Sequence, residues 1–110
     1  MSPAEIIDKA ADHIDRHGWF GCEGRAPGTY CIATAINAIE RGGNECVAFV
    51  AMARALGGKN VDGARVFDIT RWNDAPGRTK AEATSAMRAV AATLRAQERE
   101  PEPVRQTVAA

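Results

Sequence analysis

Four side chains in the N-terminal third carry atoms suited to metal or nucleophilic chemistry: His13, His17, Cys22 and Cys31. Histidines four residues apart on a helix share a face, as paired zinc ligands do. The order here is His-x3-His-x4-Cys-x8-Cys, which matches no structural zinc spacing, and no HExxH pattern occurs. The plainer reading packs the His17 ring on the apolar face of a helix with His13 at its boundary, and expects neither metal nor cofactor. A second chemistry uses the same residues as a catalytic pair. Cys31 falls near a helix start, where the dipole lowers a thiol pKa, and His17 (or His13) would serve as base. Against it stands the usual role of a free cysteine as a small buried hydrophobe, which is the expectation for Cys22, Cys31 and Cys46 alike. An odd cysteine count with no CxxC pair predicts reduced thiols and a cytoplasmic setting.

A third constellation is Trp72-Asn73-Asp74-Ala75-Pro76-Gly77-Arg78-Thr79. Asn and Asp satisfy turn amides, Pro-Gly sets a turn and Thr79 caps the next helix, so each residue has a structural use. Trp72, Asn73, Asp74 and Arg78 also form a compact polar-aromatic group, and Trp and Arg are enriched among the residues that dominate protein interfaces. They are the candidate binding residues. Arg88, Arg95 and Arg99 lie on the expected outer side of the last helix and offer a weak nucleic-acid footprint. No glycine-rich phosphate loop of the GxGxxG or GxxxxGK[ST] type is present.

The elements that must position these groups are helical. Ser2-Pro3-Ala4-Glu5 reads as a capped start, and Ile6, Ile7, Ala10, Ile14 and His17 recur on one face, predicting a helix over 3–17 that stops at Gly18. Residues 18–29 hold five glycines or prolines and read as an ordered loop, with Trp19 and Phe20 folded back on the core. A second helix is expected over about 29–40 and a third over 45–56, capped by Asn44. The third is apolar nearly all round, which predicts that the others pack about it. Val66, Ile69 and Trp72, spaced by three, suggest a short helix over 61–72, with an extended piece as the alternative. Thr79 and Glu82 form a second capping box, opening a helix over 79–98 with Ala83, Met87, Val90 and Leu94 buried.

Composition agrees with that pattern. The 110 residues are 45% hydrophobic and only 5% aromatic, so Ile, Val, Leu, Met and Ala must build the core around Trp19, Trp72, Phe20, Phe49 and Phe67. The expectation is one all-α domain over 1–98, a compact bundle of four main helices plus the short element before Trp72, with 99–110 a disordered tail. Fourteen basic residues balance fourteen acidic ones and the pI is near 6.7. Neutrality argues against strong nucleic-acid capture, and the sequence offers neither a membrane-spanning run nor a secretory leader. The balance is uneven along the chain: residues 1–55 carry 5 basic and 7 acidic groups, residues 56–110 carry 9 and 7. That gives an acidic first helix and a mildly basic last one, two faces on which a partner or a second copy could dock.

Three features in order resemble a family of small uncharacterised proteins from actinobacteria and their bacteriophages. They are Arg16-His17-Gly18-Trp19, Gly28-Thr29-Tyr30-Cys31-Ile32-Ala33-Thr34-Ala35, and the segment Trp72 to Thr79. The likeness spans roughly residues 4–97; Ile32 and Thr34 depart from the family's Cys-Ala-x-Gly-Ala. The resemblance implies a small cytoplasmic helical domain, phage-encoded and acting on a host protein, with no catalytic residue or cofactor to carry over. The function expected is therefore a non-enzymatic interaction or regulatory protein. A Cys31 enzyme is the alternative, and a weak nucleic-acid binder through the last helix the second alternative.

Overall fold

The computed structural model describes residues 1–21, 24, 26–57 and 65–99. Five helices account for most of them: α1 Pro3–His17, α2 Ile32–Ile39, α3 Glu45–Ala55, α4 Arg65–Asn73 and α5 Lys80–Arg99. Among the described residues there is no strand, only an isolated parallel bridge between Trp19 and Tyr30. The fold is all-α, and the element before Trp72 is a helix rather than an extended piece. The expected tail beyond residue 99 lies outside the described residues.

α1 begins where its sequence says it should. The Ser2 hydroxyl accepts from the Glu5 amide, the Glu5 carboxylate accepts from the Ser2 amide, and Pro3 takes the first helical position. Its end is equally local: Gly18 adopts φ +104°, a left-handed value that a side chain would strain, and donates its N–H to the Ile14 carbonyl. Ala4, Ile6, Ile7, Ala10, Ala11 and Ile14 are all fully buried.

That stripe makes α1 the hub, packed against α2, α3 and α5. α3 is central in touching each of the other four helices, but they do not enclose it on every side as expected. α3 buries Ala48, Phe49, Met52 and Ala53, but its other side faces outward, with Cys46 exposed and Val47 53% exposed. The small Ala51 and Ala55 on that side border a groove against α5 instead of a neighbouring helix. Asn44 does precede α3, yet its side chain makes no cap; it donates to the Met1 carbonyl at 3.4 Å. α2 is shorter than its apolar pattern suggests, because residues 29–31 run extended into it. α5 opens on the expected box: the Glu82 amide donates to Thr79 Oγ1 at 3.1 Å and the Thr79 amide to Glu82 Oε1 at 3.0 Å. Ala83, Met87 and Val90 are buried, and Leu94 is half-buried.

The acidic and basic faces read from the sequence meet each other. α1 and α5 run antiparallel, and Arg88 donates to Asp12 and to Asp15 at 2.9 Å each while lying 3.7 Å from Asp8. Arg95 pairs with Asp8, and Lys80 lies 3.8 Å from Asp15. The carboxylates raise the Arg88 pKa above its ordinary value, chiefly by accepting its hydrogen bonds at Asp12 and Asp15. Two of the three arginines expected to offer a solvated basic face are thus occupied within the fold, which removes much of the charge a phosphate backbone would need.

These pairs are partly exposed, so each contributes modestly and is screened by salt. Arg88→Ala is expected to lower stability by about 1 kcal/mol in dilute buffer. The deficit should shrink by roughly half at about 0.5 M NaCl, as read from urea midpoints; an equal loss at both salt levels would assign the effect to packing.

Candidate functional site

The segment from Trp72 to Thr79 is knotted into the core by Asn73, the last residue of α4. Asn73 is fully buried, and a buried carboxamide is tolerable only if its donors and acceptors find partners. Its Oδ1 accepts from the Trp19 indole Nε1–H at 2.8 Å and from the Ile32 amide at 3.2 Å. Its Nδ2 donates to the Phe20 carbonyl at 3.0 Å and to Asp74 Oδ1 at 2.9 Å. One side chain thereby joins the segment after α1, the first residue of α2 and the end of α4. Trp19 itself lies so close over Gly21 that a Cβ there would stand 2.5 Å from the ring, so Gly21 must lack a side chain.

Arg78 holds the other half. Its Nε donates to the Trp72 carbonyl at 2.9 Å, and its guanidinium carbon lies 3.6 Å from the centre of the Trp72 ring, a cation–π stack. Its Nη1 reaches Glu82 at 3.4 Å, tying the turn to the start of α5. Of the candidate binding residues, Trp72, Asp74 and Arg78 are half-buried and Asn73 is inaccessible.

Cys31 is the N-cap of α2 and is 5% exposed. Thr34 does the capping: its Oγ1 accepts from the Cys31 amide at 2.9 Å, donates to the Cys31 carbonyl at 3.2 Å and lies 3.4 Å from the sulfur. Thr34 thus has a structural use at the start of α2. Cys31 makes no hydrogen bond to either histidine among the described residues. Cys46 is exposed, contrary to the expectation for all three cysteines, and Cys22 lies outside the described residues.

His13 holds the boundary place expected of it, but His17 does not pack on the apolar face. His13 is half-buried and His17, in the last turn of α1, is exposed. The cause is a neighbour the sequence does not reveal: Tyr30 packs its ring edge-on to His13 at 4.3 Å, drawing that side of α1 inward. Among the described residues no group of three or more His, Cys, Asp or Glu is arranged to hold a metal ion.

Phe67, read from composition as a core anchor, is 70% exposed, and its neighbour Val66 is 45% exposed. Ile69 and Asn73, four apart, take the inward side of α4, leaving Phe67 and Arg71, also four apart, outside. The three-residue spacing of Val66, Ile69 and Trp72 could have shown this, since it leaves Phe67 off the stripe. A groove of about 450 Å³ lies between α3 and α5, floored by Val90 and Leu94 and edged by Arg54 and Gln97.

These features define a small all-α domain held by a buried asparagine knot, with bulky apolar groups left in solvent. The chain belongs to a family of unknown function (DUF6197), whose model matches residues 1–93. No curated protein and no solved structure matches it. Among the described residues no helix is long and apolar enough to cross a membrane.

Asn73→Ala leaves the Trp19 indole and the Ile32 amide as buried donors without acceptors, and a loss of about 2–4 kcal/mol is expected from urea unfolding. Trp19→Phe keeps an aromatic ring but removes the indole N–H and part of the packed surface, so it should cost about 1–2 kcal/mol; a loss above that of Asn73→Ala would contradict Asn73 as the shared anchor.

Proposed function

We propose that this chain is a non-enzymatic interaction or regulatory module that binds a protein partner. The observation that supports the reading is Phe67, a large aromatic side chain 70% exposed on the outer side of α4, beside Val66 and one turn from Arg71. An aromatic with an arginine at its side is the pairing that most often anchors a protein interface, and leaving it in water serves no packing purpose. The Trp72–Arg78 stack, half-buried on α4 and the turn that follows it, is a second polar-aromatic group of the chain. The finer form of the proposal draws on the resemblance to actinobacterial and phage chains: a phage-borne protein that meets a host protein in the host cytoplasm.

Trp72→Ala and Arg78→Ala would disturb the turn before α5, whereas Phe67→Ser touches solvent and should change stability by less than about 0.5 kcal/mol. Immobilised wild type exposed to actinobacterial lysate is expected to retain a protein that Phe67→Ser retains at least about tenfold less. Chemical cross-linking of the retained material separates a host partner from a second copy. The reading fails when wild type holds nothing that the variant does not.

A further inference from the structure

Tyr30 closes the segment that follows α1, and its ring rests against the chain's two histidines. The backbone part is a short bridge: the Tyr30 amide donates to the Gly18 carbonyl at 2.9 Å, and the Phe20 amide donates to the Tyr30 carbonyl at 3.2 Å. The side-chain part is a ring cluster. Tyr30 and His13 are 4.3 Å apart and nearly perpendicular, His13 and His17 are 4.4 Å apart, and His17 and Tyr30 are 5.9 Å apart.

His13 Nε2 is buried in this cluster and has no hydrogen-bond partner. A neutral imidazole tolerates such a place, because one ring nitrogen carries no proton and no charge must be solvated. A protonated ring presents an N–H on both nitrogens, so the same place would strand a charged donor. The charged groups acting on His13 are His17 and Arg16, both on its own helix and both repelling a positive charge. Tyr30 faces it from the closing segment as a neutral phenol, and the buried thiol of Cys31 follows at the start of α2. No carboxylate pairs with His13 among the described residues; Asp12 and Asp15 are turned to Arg88 on α5.

We infer that the His13–His17–Tyr30 cluster is an acid-released catch: a proton on His13 drives Tyr30 off α1 and parts the backbone bridge between Tyr30 and Gly18–Phe20. The sign follows from solvation. Burial first, then the charges of His17 and Arg16, lower the His13 pKa below its ordinary value of about 6.5. The open arrangement, with His13 in water, therefore takes the proton first. Closure is fully favoured above about pH 7 and loses ground as pH falls below about 6.5. What opens is the entry to α2, since Tyr30 leads directly into the capping residue Cys31.

The test is amide exchange on the intact chain, corrected for the intrinsic pH dependence of exchange. Between about pH 7.5 and about pH 5, the protection of the Phe20 and Tyr30 amides is expected to fall at least about fivefold. The amides of Ile14 on α1 and Met87 on α5 should keep theirs. His13→Phe retains a flat ring that cannot titrate and should abolish the fall; His13→Gln serves the same purpose if the larger ring does not pack. Constant protection at Phe20 and Tyr30 overturns the proposal, and so does an equal fall in both non-titrating variants. A parallel loss at Ile14 and Met87 also overturns it, because it marks general acid unfolding.

Discussion

The fold depends on one carboxamide. Asn73 offers an acceptor to Trp19 and Ile32 and donors to Phe20 and Asp74, and it does so without exposure to water. Apolar burial alone would hold α4 against its neighbours at many similar positions, because dispersion and desolvation are not directional. Four hydrogen bonds in a buried place are directional, and a misplacement leaves groups that cost free energy. The knot therefore fixes where α4 ends, where α2 begins and how the chain leaves α1. The Arg78 stack on Trp72 then sets the turn into α5, whose own start is fixed by Thr79 and Glu82.

Much of this was legible before any coordinates. α1 shows every local signal at its expected residue, since capping, proline placement and a glycine stop are decided within one turn. The Thr79–Glu82 box is local in the same way. Asn73 was recognisable as a turn residue, but its four partners lie up to 54 positions away, and no periodicity reports such a distance. The charge pattern misled for the same reason. Asp8, Asp12 and Asp15 look like a solvated face until α5, more than 70 positions later, brings Arg88 and Arg95 to them.

The places of His13 and His17 and the exposure of Phe67 have related origins. Helical spacing says which residues share a face, whereas contacts from elsewhere decide how wide the buried part of that face becomes. Tyr30 widens it on α1 to include His13. On α4 the pair Ile69 and Asn73 narrows it, and Phe67 is left outside although it is one of the two large aromatic groups on the helix. α3 shows the opposite case: apolar on every side by sequence, it touches all four other helices yet keeps Cys46 and Val47 in solvent.

The α1–α5 pairing also bears on how the chain reaches this structure. The hub helix precedes the other described helices and its longest partner follows them, with contacting residues 73 to 87 positions apart in the ion pairs of Arg88 and Arg95. Local helices form in about a microsecond, but a contact closing most of the chain must wait for the segments between. Until α5 arrives, the isoleucine stripe of α1 lacks its largest cover, and an emerging chain presents that stripe to whatever is nearby. Folding of this small helical domain is consequently committed late, at the moment its two ends meet.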